Sequence, residues 1–137
     1  MRYLGLDLGT KTLGVAISDK TGMIASFYKN IKYDDVEKLF VEIKEIVESQ
    51  DVDKIILGFP KNMNNTIGER AEETIVFKEN LEKFLDKEII LEDERMTTKV
   101  AEDILIKADL SRKKRKKVID GLAATVILQS YLDRKER

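Results

Sequence analysis

Apolar and polar positions alternate from the start of the chain. In residues 2–9, RYLGLDLG, Leu4, Leu6 and Leu8 share one side of an extended segment, and Tyr3, Gly5 and Asp7 share the other. Gly9-Thr10-Lys11-Thr12 reads as a tight turn, residues 13–18 as a second strand, and Asp19-Lys20-Thr21-Gly22 as a second turn. Residues 23–31 continue this antiparallel meander as a third strand. The period then changes. In residues 34–49, Val36, Leu39, Phe40, Ile43, Ile46 and Val47 form one helical stripe, with Asp34 or Asp35 as its cap. Residues 53–59 are a short apolar strand closed by Pro60. A polar loop, 60–68, leads to a helix over 69–85 with Ala71, Ile75, Leu81, Phe84 and Leu85 inward. Residues 88–92 predict a fifth strand, Thr97 or Thr98 caps a short helix carrying Val100, Ala101, Ile104 and Leu105, and a final helix spans about 114–133. Its apolar positions are Ile119, Leu122, Ala123, Val126 and Ile127.

The order β-β-β-α-β-α-β-α-α predicts an α/β domain, a mixed five-stranded sheet covered by helices. No repeat or linker divides residues 1–137, so a single domain is expected.

Composition narrows the chemistry. With 42% hydrophobic and 37% charged residues, the chain is a folded protein with a strongly ionised surface. It has no Cys and no His. That excludes disulfides, thiolate zinc sites, cysteine nucleophiles and the Ser-His-Asp arrangement. Carboxylates with a hard cation such as Mg2+ are the simplest remaining route to demanding chemistry. No apolar run has membrane-spanning length and no signal-peptide pattern is present, so a cytoplasmic location is expected.

Asp7 is charged within an apolar strand, and Gly5 and Gly9 share its face without side chains to crowd it. A carboxylate beside bare backbone suits an ion or a phosphate. Asp93-Glu94-Arg95-Met96-Thr97-Thr98 lies where a buried strand ends and a helix begins, a common ligand position in α/β sheets. Adjacent acids on a strand face opposite ways, so one of Asp93 and Glu94 joins Asp7, and parity alone does not choose. Arg95, Thr97 and Thr98 can hold an anion at the helix start. Asp120 is followed by Gly121, Ala123 and Ala124, small residues that let a helix backbone approach another element. Taken alone it reads as solvated surface. The run Arg112-Lys113-Lys114-Arg115-Lys116-Lys117 precedes it, a basic patch within a net charge of -1 that can track phosphates. Without that placement the run would read as a solvated helix entry. Lys61 and Asn62, in the loop after Pro60, and Arg70, at a helix start, add donors for phosphates or bases.

Four separated segments carry a resemblance. They are Gly5-Leu6-Asp7-Leu8-Gly9-Thr10-Lys11 with Gly14 to Asp19, Gly58 to Met63, Asp93 to Thr98, and Asp120-Gly121-Leu122-Ala123-Ala124 through Leu132. In this order they resemble the YqgF (RuvX) family of the ribonuclease H-like superfamily, described as Holliday-junction-resolvase-like or as nucleases maturing small-subunit ribosomal RNA. The resemblance implies a ribonuclease H-like fold with helices on both faces of the sheet. It implies Asp7, Glu94 and Asp120 as catalytic and metal-binding acids, with Mg2+ or Mn2+. Lys11, Lys61, Asn62, Arg70, Arg95, Thr97, Thr98 and Arg112 are then candidates for nucleic-acid contact. Asn65 stands where the family loop commonly has Gly.

The partner so implied is nucleic acid, structured RNA in preference to branched DNA, bound by a monomer or homodimer, with no membrane. Two other classes compete. Asp7-Leu8-Gly9-Thr10-Lys11 also resembles the first phosphate loop of the actin and Hsp70 superfamily, of which the chain has length for one half. A non-catalytic nucleic-acid-binding module would use the basic run and leave the acids structural.

Overall fold

A computed structural model describes residues 1–60, 68–93 and 112–135, with 112–121 described by backbone alone. The strands are β1 (Tyr3–Leu8), β2 (Thr12–Ser18), β3 (Ala25–Lys32), β4 (Lys54–Phe59) and β5 (Ile89–Asp93). The helices are α1 (Val36–Ser49), α2 (Glu69–Leu85) and α3 (Arg112–Lys135). The short helix expected after Thr97 or Thr98 lies outside the described residues.

The sheet order is β3-β2-β1-β4-β5. β1, β2 and β3 pair antiparallel, whereas β1–β4 and β4–β5 are parallel, so the mixed sheet expected from the element order is present. The alternation in β1 sorts two cores. Leu4 and Leu6 join Ile55 and Leu57 under α1 and α2, and Tyr3 joins Ile56 under Ala124, Ile127 and Leu128 of α3. Helices therefore cover both faces.

Local chemistry fixes the ends of these elements. Asp35 caps α1 by accepting the Glu37 N–H at 2.9 Å. Between β2 and β3, Asp19 accepts from the Thr21 hydroxyl and from the N–H groups of Met23 and Ile24, and these donors hold its carboxyl down at about 2. Gly22 completes that turn with φ 74, and a Cβ there would lie 2.9 Å from both the Met1 carbonyl oxygen and the Tyr3 ring.

Several inward assignments shift. Val36 opens the α1 stripe but stands 46% exposed at the helix mouth. On α2, Thr74 and Phe77 are buried, while Ile75 is half-buried and Phe84 lies exposed at the edge against Phe40, ring centroids 5.7 Å apart. Thr74 tolerates burial because its hydroxyl donates to the Arg70 carbonyl at 2.8 Å. On α3 the buried positions are Ala123, Ala124, Ile127, Leu128 and Leu132, with Leu122 and Val126 half-buried. Among the described residues no helix is long and apolar enough to cross a membrane.

Glu82 ties α2 to the sheet, accepting from Lys78 Nζ at 3.0 Å and from the Ile89 N–H at 3.1 Å. Partial burial pushes its carboxyl up, but those two donors outweigh it and the pKa is lowered. A carboxylate held below its ordinary range stabilises the fold above that range and loses the contribution as pH falls through the lowered value. Glu82→Gln is expected to cost about 1 kcal/mol at pH 7. The gap from the parent should close as acid protonates Glu82, and thermal unfolding at pH 7 and pH 3 measures it.

Candidate active site

The carboxyl-terminal ends of β1, β4 and β5 gather at one end of the sheet, beside the β1–β2 turn. Asp7 is the penultimate residue of β1 and half-buried. By alternation it faces the α3 side, with Tyr3 and Gly5. Its direct partner on β2 is Gly14. On the other flank, Leu6 pairs with Leu57, and Gly58 follows as the partner of Glu92 on β5. Gly5, Gly14 and Gly58 are thus the strand neighbours of Asp7 on its own face, and none adds a side chain there.

Gly5 also sets the height of α3 above the sheet. A Cβ on Gly5 would lie 2.7 Å from Leu128 Cβ and 3.1 Å from the Ala124 carbonyl oxygen. Any side chain there would separate helix and strand. α3 runs opposite to β1, with Tyr131 against Tyr3 (ring centroids 5.8 Å apart) and Ala124 and Leu128 against Gly5. One strand step from Gly5 toward Asp7 corresponds to about four helical residues from Ala124 toward the start of α3. Asp120 occupies that turn of the helix.

Glu92 was not singled out by the sequence reading, though a carboxylate two positions after Ile90 in an apolar strand is the signal that marks it. It is 7% exposed and paired with Arg134 of α3, so its charge is met within the fold. Its position also sorts the two acids that follow. Glu92 is on the α3 side, whereas Asp93 pairs with Phe59, which alternates with Leu57 toward α1 and α2.

The basic candidates divide. Lys11 is exposed in the β1–β2 turn. Arg70, in the first turn of α2, donates from Nη2 to the Leu8 carbonyl at 2.8 Å, so the helix is anchored to the end of β1. That bond uses one of the five guanidinium N–H donors. The backbone places Arg112 at the start of α3. Lys61, Asn62, Glu94, Arg95, Thr97 and Thr98 lie outside the described residues. Among the described residues no three acids come together around a metal-sized gap.

On the α1/α2 side of the same end, a cavity of about 330 Å³ opens between the β1–β2 turn and the two helices. Tyr33 closes one wall, its hydroxyl donating to the Gly9 carbonyl at 2.7 Å. Burial pushes the phenol upward, partly offset by Arg70 and reinforced by Glu73, so it stays protonated at neutral pH.

This architecture is the ribonuclease H-like fold of Holliday junction resolvases. RuvC of T. thermophilus in complex with Holliday junction substrate superposes with a TM-score of 0.62 at 12% identity, over 99% of this chain and 96% of that one. The Fowlpox virus resolvase in its Holliday junction complex gives 0.59 at 16% identity, over all of both chains. Sequence comparison is more specific: the family model RuvX, Holliday junction resolvase, matches residues 1–134, and the chain belongs to that family. A protein of Bacillus cereus (strain AH187) named "Putative pre-16S rRNA nuclease" is 54% identical, over 98% of this chain and 100% of its own length. A Listeria innocua protein of the same name is 53% identical, over 97% and 98%.

Proposed function

We propose that the chain is a metal-dependent nuclease that trims the precursor of small-subunit ribosomal RNA in the cytoplasm. The observation that carries this reading is the place of Asp7: a carboxylate at the end of a central strand, bordered by glycine and covered by the helix that bears Asp120. Near-full-length relatedness to proteins named for pre-16S rRNA supplies the substrate class.

Asp7, Glu94 and Asp120 are the proposed metal-binding acids. The side on which Asp93 lies, opposite to Asp7, supports Glu94 as the middle one. An all-carboxylate set with bare backbone around it fits a hard divalent cation, Mg2+ or Mn2+, which takes oxygen ligands. When bound, such a cation supplies a nucleophilic water at neutral pH and charge stabilisation for in-line displacement at phosphorus. The chain's own residues do the rest. Lys11 and Arg70 flank the end of β1 and are assigned to phosphates on either side of the scissile bond. Lys61, Asn62, Arg95, Thr97, Thr98 and Arg112 are assigned to the flanking strand.

The test is direct. The purified chain is incubated with an RNA carrying a mature 16S end plus its precursor extension, and separately with a four-way DNA junction, each in Mg2+, in Mn2+ and in EDTA. Cleavage of the RNA, dependent on the cation, is expected. Cutting confined to the junction would replace the RNA reading with resolvase action, which calls for a two-fold dimer. No cleavage of either substrate would remove the nuclease reading.

A further inference from the structure

We propose that the cavity between the β1–β2 turn, α1 and α2 receives one unpaired nucleobase of the substrate strand. The proposal rests on the nuclease reading and extends it to a specific subsite.

Position comes first. Leu8, whose carbonyl is held by Arg70 at the cavity, directly follows Asp7 in β1. Consecutive strand residues project to opposite faces, so the cavity and Asp7 lie back to back at one end of the sheet. A nucleic-acid strand crossing the Gly9–Lys11 turn passes from one to the other.

The lining gives the ligand class. At about 330 Å³ the cavity is at the small end of ligand pockets, sized for one flat group. Phe40 and Phe77 form an apolar wall, buried and in edge contact with centroids 5.4 Å apart. Val36 and Val76 stand 46% and 56% exposed at the mouth, one on each helix. These valines offer apolar surface that a stacked ring would cover. The polar groups are of mixed kind: Arg70 donates, Glu73 accepts and Asn80 does both. Glu73 opposes a phosphate inside the cavity. A neutral planar heterocycle with donors and acceptors on its edge satisfies both the apolar wall and this polar set. The phosphates of the same nucleotide stay outside, near exposed Lys11.

Binding is measured on the full chain carrying Asp7→Asn, so that the strand stays intact, by fluorescence anisotropy with labelled 12-nucleotide RNAs in Mg2+. A single abasic nucleotide is moved along the strand. Loss of the base is expected to weaken binding about tenfold at one position and less than twofold elsewhere. Val76→Gln and, independently, Val36→Gln should weaken the RNAs that keep that base toward the level of the abasic one, reducing that one penalty to below twofold, while the RNA lacking that base binds as it does to the parent. Both substitutions are at exposed helix positions, and circular dichroism checks folding. A penalty spread evenly along the strand, or one that persists in both variants, overturns the proposal while leaving the nuclease reading intact. Competition by free nucleoside monophosphates at the affinity of the RNA also overturns it, assigning the cavity to a free ligand. Failure of every RNA to bind overturns the nuclease reading and this proposal with it.

Discussion

Asp7→Asn is expected to lower the turnover number for RNA cleavage at least about a thousandfold while leaving the fold in place. The amide matches the carboxylate in shape, so Gly5, Gly14 and Gly58 still border it. What changes is charge. A neutral amide oxygen is a poor substitute for a carboxylate toward a hard divalent cation, and several kcal/mol of transition-state stabilisation disappear with it. KM should change little, because the groups assigned to phosphate contact, Lys11 and Arg70, are untouched. Thermal unfolding should place the variant within about 1 kcal/mol of the parent. Cleavage that survives at the parental rate would mean that Asp7 is structural and that the metal site is elsewhere or absent.

Gly5→Ala carries the second large effect. The added methyl would meet Leu128 Cβ at 2.7 Å, and neither the β1 backbone nor a fully buried Leu128 can yield cheaply. Overpacking of this kind costs about 1–3 kcal/mol, on the order of 5 °C in Tm for a chain of this size. The more telling readout is activity. Lifting α3 off β1 moves Asp120 away from Asp7, so cleavage should fall at temperatures where the variant is fully folded. Leu128→Ala keeps the Cβ that the new methyl meets, so it should not rescue Gly5→Ala: alone it costs about 2–5 kcal/mol as a cavity, and the double variant should be less stable than either single one. A Gly5→Ala variant as stable and as active as the parent would show that the helix height is not set at this contact.

Strand and helix placement was readable from periodicity because each β1 side chain is committed to one of two cores. Leu4 and Leu6 cannot trade places with Tyr3 and Gly5 without exposing an apolar row. The errors arose where a residue's type and its role part company. Val36 continues the α1 stripe in period but sits past the edge of the sheet, over a cavity. Thr74 is polar in type but spends its hydroxyl on the preceding turn, which the sequence pattern does not record. Of the proposed site, Asp7 is the member that the sequence marks most clearly, because a charge amid glycines in an apolar strand has few structural explanations. Between Asp93 and Glu94 the resemblance already prefers Glu94, and the pairing of Glu92 with Gly58, a register between β4 and β5 that no local pattern specifies, adds a physical reason for the same proposal. Glu92 escaped notice because its partner, Arg134, lies 42 residues away.

The fastening of α3 makes that helix a lever. Its last turns are gripped on three sides. Gln129 accepts the Ala25 N–H at 2.8 Å, Tyr131 meets Tyr3 edge to face, and Arg134 pairs with Glu92. Asp120 is 11 residues from Tyr131, about 16 Å along the axis. With the grip as fulcrum, a tilt of only about 4° carries residue 120 through roughly 1 Å, a displacement that can cost a hundredfold in rate. Substitutions at Gln129 or Tyr3, which touch none of the proposed metal-binding acids, would then be amplified into catalytic defects out of proportion to the stability they remove.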